Sequence, residues 1–105
     1  MDTDTNNRML DDFAILARVA FSPRVVPHYY GSGMRCPMRF DGEDGMFCCC
    51  LWFVGCDKSS TGDVILAVIQ FLDDRRDRCW VDRKFKLCNG KAEFASGIIE
   101  LIATR

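Results

Sequence analysis

The sequence is poor in the residues and spacings on which most small-protein chemistry depends. It has one histidine, His28, with no Cys-His or Ser-His-Asp arrangement at a recognisable spacing, so nucleophile–base catalysis lacks its parts. No C-x-x-C pair occurs, and the paired short spacing of zinc sites is missing with it. No Gly-x-x-x-x-Gly-Lys-Ser/Thr segment occurs, which excludes that phosphate loop. Net charge is −1, from 14 basic and 15 acidic residues, so no overall field draws the chain to nucleic acid or anionic lipid. No apolar run reaches the roughly 18 residues of a membrane-spanning helix; the longest is MFCCCLWFVGC, 46–56. The opening MDTDTNNRMLDD has neither the positive start nor the apolar stretch of a secretory leader. These absences predict a soluble, cytoplasmic protein with no catalytic residue, metal, cofactor, nucleotide or membrane contact assigned.

What the chain does have is cysteine: Cys36, Cys48, Cys49, Cys50, Cys56, Cys79 and Cys88. An odd count without an export signal points to reduced thiols. Three consecutive cysteines on an extended strand cannot face one metal, because side chains alternate. Buried cysteine behaves as a small hydrophobe, and that is the expected role here. A cysteine-based metal or redox protein is the competing reading.

At 105 residues the chain is one domain. Residues 1–12 read as a flexible polar segment and 13–105 as the folded unit. FAILARVAF (13–21), with β-branched and aromatic ends before SPR, reads as a strand. MRCPMRF (34–40) carries Pro37, which confines it to an edge or a bulge. DGEDG is a tight turn, MFCCCLWFV (46–54) a strand, and GCDKSSTGD a loop. VILAVIQFL (64–72) is a β-branched strand. KFKLC is joined to KAEFASGIIELI through Asn89-Gly90, a strong hairpin signal. About six closely spaced strands without a long helix predict an all-β antiparallel sandwich or closed barrel.

Two strands lack a polar face. In 46–54 one face is Met46, Cys48, Cys50, Trp52 and Val54, and the other is Phe47, Cys49, Leu51 and Phe53. In 64–72 the faces are Val64, Leu66, Val68, Gln70 and Leu72, against Ile65, Ala67, Ile69 and Phe71. A small barrel needs one apolar face per strand. The outer faces are therefore expected to be covered by another part of the chain or by a partner, since large bare apolar patches are rare on monomers.

FKLCNGKAEFASGIIELI resembles the last hairpin of the third domain of elongation factor Tu, with Phe85, Leu87, Gly90, Phe94, Gly97, Ile98 and Ile99 in the matching places. STGDVILAVIQFL resembles that family's proline-glycine-aspartate turn and following strand, with Thr61 where proline is usual. RVVPHYYGSGMR is similar to its Arg-x-x-Pro-aromatic-aromatic segment, through Arg24, Pro27, Tyr29, Tyr30, Gly33 and Arg35. The likeness covers roughly 13–102. It implies a single six-stranded antiparallel β-barrel acting as a non-catalytic binding module, with 24–40 a long loop leading into a strand. The sequence departs from the family in having no GTPase domain, in Met34 replacing tyrosine, and in Pro37 standing one place late.

Two partner classes follow. A protein partner or a second copy would meet Tyr29, Tyr30, Met34, Phe47, Trp52, Phe53 and Phe71, large apolar or amphipathic side chains of the kind that anchor interfaces. RNA, in a translation-accessory role at tRNA or the ribosome, would meet Arg24, Arg35, Arg83, Lys84 and Lys86. In DDRRDRCWVDRKFK the cations alternate with Asp73, Asp74, Asp77 and Asp82, so a salt-bridged loop is the plainer expectation.

Overall fold

The computed structural model describes residues 13–24, 28–90 and 92–104. The anticipated flexible segment 1–12 and Pro27 lie outside them. Among the described residues there are eight strands: β1 Phe13–Phe21, β2 Tyr29–Gly31, β3 Met34–Phe40, β4 Phe47–Phe53, β5 Lys58–Ser60, β6 Val64–Phe71, β7 Lys84–Asn89 and β8 Ala92–Thr104. Six of them close an antiparallel barrel in the order β1-β6-β4-β3-β7-β8, and β2 pairs with β5 as a separate two-stranded sheet. The expected single six-stranded barrel is therefore observed, with no α-helix among the described residues. The two short strands fall inside segments expected to be loops.

Strict alternation builds the interior. Phe13, Ile15, Ala17, Val19 and Phe21 of β1 point inward, as do Cys49, Leu51 and Phe53 of β4 and Ala67, Ile69 and Phe71 of β6. Cys36, Met38 and Phe40 of β3, Phe85 and Leu87 of β7, and Ala95 and Ile99 of β8 complete it. Phe85 faces Gly97 across β7–β8, and its ring occupies the space a side chain at 97 would need.

Two bulges in β8 break its alternation. Leu87 pairs with Ala95 but Cys88 pairs with Glu93, so Phe94 is the extra residue and leans over the barrel mouth. Leu16 pairs with Leu101 while Ala17 pairs with Ile99. Glu100 is extra there, and the side chain of Leu101 turns outward.

Each barrel end is closed differently. At one end Tyr30 stacks on Phe21, with ring centres 4.5 Å apart and 9° between planes. Phe94 lies 5.2 Å from Tyr30 on another side, and His28 approaches at 4.7 Å. The β2–β5 pair that carries Tyr30 is tied down by Thr61 N–H donating to the His28 carbonyl and Gly62 N–H to the Phe21 carbonyl, both at 3.0 Å. At the other end residues 72–83, including a 3-10 turn at Arg76–Arg78, fold over Phe13, Phe40 and Phe47. Arg75 sits 4.0 Å above the Phe47 ring. Arg83 lies between Phe40 and Trp80, 5.1 and 4.2 Å from their ring centres.

The β3–β7 seam is short, with pairing limited to Met38–Phe40 against Leu87–Phe85. Asp41 N–H donates to the Lys84 carbonyl, so residues 41, 39 and 37 are those whose peptide groups face β7. Pro37 has no N–H to donate, and the bulge follows Leu87 directly. The ladder stops there, which leaves an opening in the wall.

Candidate docking surface

Odd positions of β1, β4 and β6 fill the barrel, so even positions form its outside. Ladder register lines these up across four strands. Leu101 of β8 is opposite Leu16 of β1, Leu16 is opposite Val68 of β6, and Val68 is opposite Trp52 of β4. A second row runs from Ile98 through Arg18 to Leu66, beside Val54, whose N–H donates to the Leu66 carbonyl. Ala20 and Val64 extend the patch. Leu101 is 56% exposed and Val64 57%, values high for apolar side chains on a wall of strands. Trp52 and Val54 are also exposed, and Leu16, Leu66 and Val68 are half-buried. Arg18 and Glu100 cross the patch as an ion pair at 2.8 Å.

Trp52 is held in place before any partner arrives. Its indole N–H donates to Gln70 Oε1 at 2.8 Å, and its six-membered ring lies against Gly33, where a Cβ would come within 3.2 Å of it. Gly33 has φ +89°, the left-handed region that favours glycine. An exposed aromatic with its polar atom already satisfied gives up little freedom on binding.

The structure sorts the predicted protein-contact residues sharply. Tyr29 is 70% exposed and Tyr30 only 9%, because neighbours on a strand face opposite ways. Tyr30, Phe53 and Phe71 are core residues and cannot meet a partner, which corrects that expectation. Met34 and Phe47 are half-buried against the same core. Tyr29 and Trp52 remain exposed. Leu16, Val54, Val64 and Leu101, which residue type alone did not single out, complete the surface. Alternation already put Val54 on one face with Trp52, and Val64, Leu66 and Val68 on one face of 64–72, without relating the two segments; the aromatics drew attention to the wrong face.

The predicted RNA-contact residues are not brought together. Arg83 is a structural cation whose side chain is 10% exposed; it donates to Glu43 Oε2 at 2.8 Å and to the Asp41 carbonyl at 3.0 Å. That removes it from any phosphate-binding set. Arg78 also pairs with Glu43, and within the loop Arg75 pairs with Asp73 and Arg76 with Asp74, so the expected salt-bridged loop is present. Lys84 and Lys86 line a shallow groove with Arg18 and Ser96. Arg24 and Arg35 border a different cavity, of about 310 Å³, at the open β3–β7 seam, together with His28, Cys36, Cys88 and Asn89.

All seven cysteines are free thiols. Burial pushes the Cys79 thiol up to about 12 and raises Cys88, in keeping with inert packing groups. Cys36 and Cys49 differ from these. They are direct ladder partners, and the neighbouring Cys49 thiol holds Cys36 below its ordinary value against the effect of burial. The same contact, together with burial, raises Cys49 well above its own. No group of three or more metal-ligating side chains occurs among the described residues, and no described helix is long and apolar enough to cross a membrane. No protein-family model matches the chain, and no curated protein is significantly similar to it.

Proposed function

We propose that this barrel is a non-catalytic docking module that binds a protein chain, in its simplest form a second copy of itself, through the outer wall of β8, β1, β6 and β4. The observation that carries the reading is the register row Leu101–Leu16–Val68–Trp52, ending on a tryptophan already fixed by Gln70. Apolar surface of this continuity is a feature of interaction sites, and a preset aromatic at its end is the kind of anchor that dominates binding energy. Within the row's four strands Arg18 and Glu100 form an internal ion pair, and the neighbouring cations, Lys84 and Lys86, lie to one side of the row, on β7. The likeness to the third domain of elongation factor Tu supports the same reading, because a closed six-stranded barrel is compatible with a module that binds without catalysing. Fold likeness does not carry function with it; the surface makes the case.

Sedimentation velocity over a concentration series tests the proposal. The native chain should associate as concentration rises, and the association should tolerate salt. Trp52→Glu and, independently, Leu101→Glu should run as monomers while keeping the native melting transition. A chain that remains monomeric at high concentration, or variants that associate unchanged, would sink the self-docking form.

RNA is the alternative partner, supported by the groove that Lys84 and Lys86 share with Arg18. Phosphate contacts weaken steeply between about 50 mM and 200 mM salt, whereas apolar docking does not. RNA retained at low salt and lost on Lys84→Glu with Lys86→Glu would favour it.

A further inference from the structure

Cys36 and Cys49 stand opposite each other on β3 and β4, and both side chains point into the barrel. Cys49 Sγ lies 3.3 Å from the Cys36 carbonyl oxygen, as a weak donor to it. The pair sits beside the break in the wall made by Pro37. There Cys36 contributes to the lining of the 310 Å³ cavity, together with Arg24, His28, Arg35 and Asn89. Cys36 borders this cavity, which gives a small oxidant a route to an otherwise buried thiol. None of the other thiols combines access of this kind with a ladder partner of its own type.

We propose that Cys36 and Cys49 form a reversible oxidation site, in which a hydroperoxide entering the seam cavity converts the two thiols to a β3–β4 disulfide. The thiolate sulfur of Cys36 attacks one peroxide oxygen. The O–O bond breaks, Cys36 becomes a sulfenic acid, and the released oxygen leaves as water after taking up a proton. The Cys49 sulfur then attacks the Cys36 sulfur. The S–S bond forms, the S–O bond breaks, and the Cys49 proton leaves with the hydroxyl group as a second water. Two thiols are oxidised and one hydroperoxide is reduced; for hydrogen peroxide the products are one disulfide and two waters.

Ladder geometry permits the bridge and makes it easy to reverse. Leu72 N–H donates to the Cys48 carbonyl, so Cys48 turns its peptide groups toward β6 and Cys49 turns its own toward β3. Cys36–Cys49 is therefore a hydrogen-bonded pair, with Cα atoms about 5.5 Å apart, inside the range a disulfide spans. Side chains at such pairs diverge more than at the alternate ones, so the bridge requires a local twist. Strained bridges are the more readily reduced ones, and glutathione is the expected reductant.

The test uses the native chain. After brief treatment with hydrogen peroxide, free thiols are alkylated and the protein is digested with trypsin, which releases Cys36 in the peptide CPMR. Two of the seven thiols should be lost, and CPMR should appear bridged to the 40–58 peptide, with fragmentation placing the bond at Cys49. Glutathione should restore both thiols. Cys49→Ala should stop at a Cys36 sulfenic acid trapped by a dimedone probe, Cys36→Ala should abolish the thiol loss, and Cys48→Ala should change nothing. Because the bridge is mapped on the native protein, an unstable variant does not weaken the result. Seven intact thiols after treatment, or a bridge from Cys36 to Cys48, Cys50, Cys56 or Cys88, would overturn the assignment.

Discussion

The Phe85 ring lies across Gly97, so that a Cβ added at 97 would collide with the ring's Cζ and Cε1. The two residues are ladder partners on β7 and β8, and Phe85 is fully buried. The ring cannot yield without displacing its neighbours. Gly97→Ala should therefore cost about 1–3 kcal/mol, the usual penalty of overpacking a closed core. Urea denaturation measures it. In a double-mutant cycle, Phe85→Leu should recover part of the loss; strictly additive effects would show that the ring contact is not the cause.

Tyr29 and Tyr30 should separate as cleanly in stability as they do in exposure. Tyr30 plugs the mouth between Phe21 and Phe94, and Tyr30→Ala should cost about 3 kcal/mol or more, as for other buried aromatics. Tyr29→Ala should stay within about 0.5 kcal/mol. Thermal and urea unfolding of the two variants side by side would show it.

Arg83 should not tolerate lysine. Its planar group is stacked between Phe40 and Trp80 while donating to Glu43 and to the Asp41 carbonyl, a combination a single ammonium cannot reproduce. Arg83→Lys should lower stability by about 1–2 kcal/mol. Added salt should not abolish the loss, which a purely surface charge effect would require.

Acid should weaken the fold through Glu43 and Asp63. The hydrogen bond from Arg83, helped by the charge of Arg78 and opposed by burial, holds Glu43 below its ordinary value of 4.5. The Ser60 N–H and then the Ser59 hydroxyl hold Asp63 below its ordinary 3.8. A carboxyl whose pKa is lower folded than unfolded adds stability above the unfolded value and loses that contribution as pH falls through the folded one. Melting temperature should thus fall as pH drops below about 4.5, and Glu43→Gln should flatten part of that fall. An unchanged pH profile in that variant would exclude Glu43 as a contributor.

Local chemistry made much of the barrel legible. β-branched runs, the Asp-Gly and Asn-Gly turns and the alternation in 46–54 and 64–72 all located strands that are present. Pro37 pointed to an edge or a bulged strand, and β3 is neither: it pairs with both β4 and β7 without a register shift, and the missing N–H falls where β3 and β7 part. The tie between the remote β2 and β5 strands was not legible, because three-residue strands have no period to read. Nor were the β8 bulges. A register shift at Glu100 depends on pairing with Leu16, across most of the chain, and it is what turns Leu101 outward. The candidate surface was half legible for the same reason: alternation sorts residues into two faces, but only closure of the barrel decides which face is outside.

The chain's first described strand finds its place only beside its last, with Phe13 opposite Thr104. During synthesis β1 can pair with β6, but its other edge must wait for β8 to emerge, and β7 waits with it. Contacts of such long sequence separation form slowly, and an unclosed intermediate displays open strand edges and apolar surface. Chains in which β8 has not emerged, or from which it has been cut, are therefore the species most prone to aggregate, and a chaperone that shields β1 until β8 arrives would act where the fold is most vulnerable.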